Sequence, residues 1–274
     1  VSPPAWIFAP YYYGLKRTED GIFRNGVRAW TSQAVHAGDV IETHLVETEP
    51  SDGILPRPVP FSVVYEDDDI LVVDKPADTP IHPSIGNYEN TLANGIAWYF
   101  EQKGEPFVYR CINRLDRDTT GLIVLAKHAL SAAVLSQAMR SREIHRTYQA
   151  FALGETAASG TIDAPIARLN GSLIQRTVDF ASGERSVTHY RTLAHAPFSP
   201  TFELNLETGR THQIRVHMAY IGHPLLGDTL YNKTPGTFPR QALHSASLSF
   251  VHPITGEPLN FHAPLPEDMQ NLLT

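Results

Sequence analysis

Residues 113–127 read NRLDRDTTGLIVLAK. The second half, GLIVLAK (121–127), is a continuous apolar run of strand length bounded by turn residues, the pattern of a buried strand. The first half sets Asp116 between Arg114 and Arg117 in the loop that leads into it. Two guanidinium groups beside a carboxylate favour its charged form, which suits a nucleophile or a base better than an acid donor. The same pattern also suits a loop of surface salt bridges, and charge alone leaves both readings open. Thr119, Thr120 and Gly121 read as turn chemistry.

Working outward, FSVVYEDDDILVVDKP (61–76) reads as two short strands around an acidic turn, the second stopped by Pro76. Leu92, Ile96 and Phe100 form a helical stripe closed by Gly104, and SAAVLSQAMRSR (131–142) suits a helix capped by Ser131. Ile144, Arg146, Tyr148, Ala150 and Ala152 alternate along one strand, and Phe202, Leu204 and Leu206 along another. The period then changes: Ile214, Met218 and Ile221 form a helical stripe that ends at Gly222, before a final strand carrying Ala246, Leu248 and Phe250. Strands and helices mix without a βαβ rhythm, so the class is α+β with a largely antiparallel sheet. The proline-rich EPSDGILPRPVP (49–60) reads as a linker. It divides the chain into a small N-terminal segment (1–50), a linker (51–60) and a main domain (61–274).

The 274 residues are 42% hydrophobic and 19% charged, enough to build a proper core and unlike a disordered chain. The single cysteine, Cys111, excludes an internal disulfide and fits a reducing compartment. No apolar run is long enough to span a membrane and the first residues lack a secretory pattern, so a cytoplasmic location is expected. A net charge of -7 argues against nucleic acid when taken alone, but it is unevenly spread. Residues 61–78 hold six acids and one base, whereas 140–191 carry Arg140, Arg142, Arg146, Arg168, Arg176, Arg185 and Arg191. One face is therefore expected to be locally basic.

A second polar concentration, LETGRTHQIRVHMAYIGHPLLGD (206–228), carries Arg210, His212, Arg215 and His217 on or near its helix. The spacing of His212, His217 and His223 fits no zinc pattern, and no metal is expected. Phosphate-binding GxxxxGK, dinucleotide-binding GxGxxG, GxSxG and HExxH motifs are all missing, which removes support for nucleotide hydrolysis, dinucleotide redox, serine-hydrolase and zincin chemistry. A cofactor-free carboxylate enzyme or a binding module remains.

At these residues the chain resembles a known family. NRLDRDTTGLIVLAK is similar to the HRLDRxTSGLLLxAK motif of the RluA-type pseudouridine synthases. VVYEDDDILVVDKPADTPIHPS (63–84), IHRTYQAFALG (144–154), LETGRTHQIRVHMAYIGHPLLGDTLY (206–231) and HSASLSFVHPITGEPLNFHAPLP (244–266) resemble further blocks in the family's order. The resemblance implies isomerisation of uridine to pseudouridine in ribosomal or transfer RNA, on the pseudouridine synthase fold with a central cleft, flanking helices and no cofactor. It implies Asp116 as the catalytic aspartate, Tyr148 as the aromatic that stacks on the base and Arg215 as the partner of Asp116. Arg114 would enter the space left by the flipped base, and Arg117, Arg140, Arg142, Arg146, Arg210 and His212 complete the expected RNA contacts. The partner is then RNA, with no membrane or DNA role, and a monomer is expected.

Some positions depart from the pattern. Asn113 replaces a histidine, Thr120 a serine and Arg146 a lysine, and Asp78 replaces a glycine, which implies a shifted loop. GIFRNGVRAWTSQAVHAGDVIETHL (21–45) resembles the second half of a small α/β RNA-binding module whose basic first helices are not evident here, and the N-terminal stretch holding Lys16, Arg17, Arg24 and Arg28 is a second candidate path for RNA. Two other readings stand beside the synthase: an RNA-binding or ribosome-assembly factor that kept the fold and lost catalysis, and a carboxylate hydrolase acting on nucleosides or sugars.

Overall fold

The computed structural model describes residues 21–30, 32–43, 50–154, 156–196 and 199–273. β1 (Ile22–Arg24), β2 (Val27–Arg28) and β3 (Ile41–Thr43) form a separate three-stranded antiparallel sheet. Before residue 50 the described residues contribute no helix. Arg24 pairs with Asp39, and Arg28 lies over the Trp30 ring at 4.4 Å. Lys16 and Arg17 lie outside the described residues.

The main sheet begins with β4 (Ser62–Glu66) and β5 (Ile70–Lys75), the two strands expected around the acidic turn. α1 (Leu92–Lys103) follows, its N-terminus closed by reciprocal bonds between Thr91 and Asn94 and its C-terminus by Gly104. Then come β6 (Thr120–Ala126), α2 (Ala129–Arg140) and β7 (His145–Phe151). The segment that periodicity left unread holds β8 (Ser159–Asp163), β9 (Ile166–Arg168), β10 (Arg176–Val178) and β11 (Val187–Ala196). β12 (Ser199–Leu206), α3 (Gln213–Tyr220), β13 (Leu243–Val251), β14 (Pro258–His262) and α4 (Glu267–Gln270) complete the described elements.

β4-β5-β6-β13-β7-β12-β11-β8 is the strand order, with β14 also paired to β13. Every pairing is antiparallel except β6 with β13, where Thr120 meets His244 and Gly121 meets Ser245. That crossing depends on Gly121: its φ is +111°, and a Cβ there would lie 2.3 Å from the Ser245 carbonyl oxygen. The central strands are covered on both faces, which explains why they read as unbroken apolar runs. Leu71, Val73, Ile123 and Leu125 face one core with α1 and α3, while Ile70, Val72, Leu122 and Val124 face the other with Leu135 of α2.

Several expectations change in detail. α2 is capped by His128, whose imidazole accepts the Ser131 N–H; Ser131 is already inside the first turn. Ile144 precedes β7 and packs in the core opposite Tyr148 and Ala150. β13 is not the last strand, because β14 pairs with its outer half (Ser247–Val251) where β6 has diverged. The proline-rich stretch is extended but docked on α1: Asn94 donates to the Leu55 carbonyl at 2.8 Å and accepts, through its own carbonyl, the Arg57 N–H. A Cβ on Gly95 would lie 2.6 Å from the Val59 carbonyl, so this close approach requires glycine.

Candidate active site

The loop 113–119 crosses the end of the sheet on the α1 and α3 face, anchored by Leu115 in that core. Asn113 splints it to β6: its Oδ1 accepts from Val124 N at 2.9 Å and its Nδ2 donates to Leu122 O at 3.2 Å. Two buried cations hold the carbonyls that follow Asp116. Lys75 donates to the carbonyls of Pro76, Thr79 and Arg117, and Arg240, gripped by Asp268 of α4, donates to that of Asp118. Burial pushes the Lys75 ammonium down to about 7, against the pull of Asp118 and Asp116. Asp78 needs no shifted loop, since it adopts the left-handed conformation itself at φ +53° and faces Arg117 at 3.4 Å.

Asp116 Oδ2 lies 3.0 Å from Nη1 of Arg215, which projects from α3. Arg215 is in turn clamped by Asp228, with Nε and Nη2 on its two oxygens at 2.7 and 2.9 Å. Asp228 is fully buried and accepts the N–H groups of Leu230 and Tyr231 as well. Burial disfavours the Arg215 charge, but the two carboxylates outweigh it and raise its pKa. The guanidinium is thus a rigid bridge whose free edge presents one N–H to Asp116.

His212 enters α3 at φ +58°, a strained conformation for a histidine. Its Nδ1 is 2.8 Å from the Tyr231 hydroxyl, which accepts the Arg176 N–H, and its Nε2 is 3.9 Å from Asp116. With the hydroxyl donating to Nδ1, the neutral ring carries its proton on Nε2, toward Asp116. Burial keeps the ring neutral by lowering its pKa. Tyr148 on β7 is buried, and its phenol is held in the neutral form by that burial, with Arg146 and Ser245 beside it.

These groups line a pocket that is open to solvent. Its polar wall is Asp116, Arg114, Arg146, Arg210, His212 and Arg215, and its apolar wall includes Leu115, Tyr148, Leu206 and Leu243. The site expectations therefore divide. Arg114 is exposed at the pocket with no ion pair among the described residues, and Arg146 spans toward Gly209. Arg210 also lines the pocket but is paired with Glu184. Arg117 turns instead to Asp78 and Asp118. The partner of Asp116 is thus Arg215, 99 residues away, and not the flanking arginine that the local charge pattern favoured. Arg140 ends α2 on the opposite face, bonded to Gln137, and Arg142 is taken up by Glu207. Neither lines the pocket.

Sequence reading missed Asp228, Tyr231 and the role of Lys75. Asp228 has no charged neighbour in sequence; the only signal was its place in the LLGDTLY end of the resembling block. His217 bonds Thr188 and the Ala164 carbonyl, and His223 bonds the Leu153 carbonyl, so the three histidines do not converge. Asp67, Asp69 and His252 do cluster, but Asp67 already accepts from Tyr65, Asp69 N, Ile70 N and His252, and Asp69 from His128. The cluster reads as a network that closes the β4–β5 turn.

A carboxylate clamped by a buried arginine beneath an arginine-rimmed pocket suits a polyanionic ligand. Residues 69–220 match the profile of the RNA pseudouridylate synthase family, and the chain belongs to that family. It is 42% identical over 91% of its length to an uncharacterised RNA pseudouridine synthase, YjbO, of Bacillus subtilis (strain 168), covering 88% of that protein. Ribosomal large subunit pseudouridine synthase D of Vibrio cholerae is 42% identical, over 86% of this chain and 76% of that one. Among solved structures, human RNA pseudouridylate synthase domain containing 1 superposes with a TM-score of 0.63 at 25% identity, over 79% of this chain and 86% of that chain. This protein is thus an RNA pseudouridine synthase. Among the described residues no helix is long and apolar enough to cross a membrane.

Proposed function

We propose that this enzyme converts a uridine of large-subunit ribosomal RNA to pseudouridine, with Asp116 as the group that acts on the nucleotide. The observation that carries the assignment is the Asp228–Arg215–Asp116 relay at the floor of the pocket. The names of the synthase D relatives support the ribosomal substrate. The reaction breaks the bond from N1 to C1′ and forms one from C5 to C1′; the C5 proton leaves and N1 gains one. Asp116 is positioned to stabilise or attack the sugar as the first bond breaks, and Arg215 holds the carboxylate in place without competing for both of its oxygens. Tyr148 supplies the wall on which the uracil ring rests. Extruding a base costs a few kcal/mol, and Arg114, exposed at the pocket, fills the gap left in the RNA.

Loss of the C5 proton provides the assay. An unmodified large-subunit ribosomal RNA transcript carrying tritium at C5 of uridine releases tritium with the native enzyme, and Asp116→Asn abolishes release while filter binding of the transcript stays within about twofold. Near-native release by that variant would remove Asp116 from the chemistry. Release from a transfer RNA transcript and not from the ribosomal one would reassign the substrate.

A further inference from the structure

Beside the pocket lies a second, larger cleft of about 540 Å³ between β9–β10 and the loop Gly209–Thr211. The two cavities share Gly209, Arg210 and Thr211 as a common wall. We propose that this cleft binds the phosphodiester of the nucleotide next to the target uridine, through Arg168, Arg176 and Arg210. The proposal rests on the functional reading above, because a strand with one nucleotide in the pocket continues across the shared wall.

Three arginines face one carboxylate, Glu184, in the cleft lining. Arg168 is exposed and has no ion-pair partner among the described residues. Arg176 spends Nη1 on the carbonyls of Ile174 and Gln175, which leaves its other donors for a ligand. Arg210 is held by Glu184, so a phosphate entering the cleft exchanges one anion for another on the same guanidinium. β9 and β10 form a two-stranded sheet of their own, yet their place relative to Asp116 is set: the Arg176 N–H donates to the Tyr231 hydroxyl that also meets His212. A phosphate gripped there is therefore registered against the catalytic carboxylate, and Glu184 acts as an internal competitor for it.

The test uses the full chain and the unmodified ribosomal transcript, with tritium release for turnover and filter binding over a salt series. Arg168→Gln with Arg176→Gln raises KM about tenfold, and the loss falls on KM about fivefold more than on kcat. The slope of log affinity against log salt flattens by about 1.4, at about 0.7 for each single-strand contact. Glu184→Gln has the opposite effect and lowers KM, since it frees Arg210. If the double variant fails to fold by near-ultraviolet circular dichroism, Arg168→Gln alone carries the test with half the change in slope. Unchanged KM and slope in Arg168→Gln, or weaker binding by Glu184→Gln, overturns the subsite while leaving the functional reading intact. Absence of native turnover on any RNA overturns both.

Discussion

Arg215 is shared by two carboxylates of different standing. Asp228 takes two of its donors in a buried fork, and Asp116 takes one at the edge of the pocket. Breaking a buried pair leaves the surviving charge uncompensated, at a cost of about 3–5 kcal/mol. Asp228→Asn replaces one acceptor oxygen by a donor facing an N–H, so we expect a stability loss near about 3 kcal/mol in urea denaturation. We also expect kcat to fall about tenfold or more as Arg215 is drawn toward Asp116. A variant with native kcat would show that the fork does not set the position of Asp116. Arg146 shows the same principle from the other side: its Nε is buried with no hydrogen-bond partner among the described residues, while its guanidinium lies beside the Tyr148 phenol and the Gly209 turn.

Among the elements, the β6–β13 crossing carries most of the site, since β6 begins where the Asp116 loop ends and β13 contributes Leu243 and Ser245 beside Tyr148. Gly121→Ala places a methyl against the Ser245 backbone at a φ that L residues rarely adopt. It should cost about 2–4 kcal/mol in urea denaturation, combining overpacking and backbone strain. A loss below about 0.5 kcal/mol would show that the two strands separate without penalty. α4 has a similar role at smaller scale. Only four residues long, it supplies Asp268 to Arg240 and so ties the C-terminal end of the described chain to the carbonyl of Asp118.

Across the described residues, four histidines are kept neutral by burial: His82, His212, His217 and His244 each titrate below the ordinary value of 6.5. The unfolded chain takes up these protons near 6.5 and the folded chain only at lower pH. Unfolding therefore gains protons, and stability falls as pH drops below 6.5 toward the folded values. Glu66 and Asp67, held below 4.5 and 3.8 by their partners despite burial, lose their contribution only in more acid solution. The urea midpoint should consequently fall between pH about 7.5 and about 5.5. A midpoint that is level or rises over that range would contradict the burial of neutral imidazoles.

Local patterns were enough for the elements whose core faces follow a simple period. β5, β6, α1 and α3 were legible because an unbroken apolar run or a helical stripe reports burial without reference to partners. The order of the five blocks carried the family and pointed to Asp116, Tyr148 and Arg215. The strands of 159–178 were not legible, because β8 is an edge strand and β9 and β10 form a separate hairpin, all short and carrying no clear period; the ten-residue β11 lies inside the sheet but mixes polar and apolar residues without one. Beyond the Asp116–Arg215 pair that the resemblance implied, only the tertiary structure decided which charges meet. Arg117, next to Asp116 in the chain, points to Asp78 and Asp118, while Arg215 and Asp228 arrive from beyond residue 210. Ion pairing depends on distances of a few ångströms between side-chain tips. Neighbours along a loop diverge by more than that, whereas a sheet and a helix packed on it bring distant residues together.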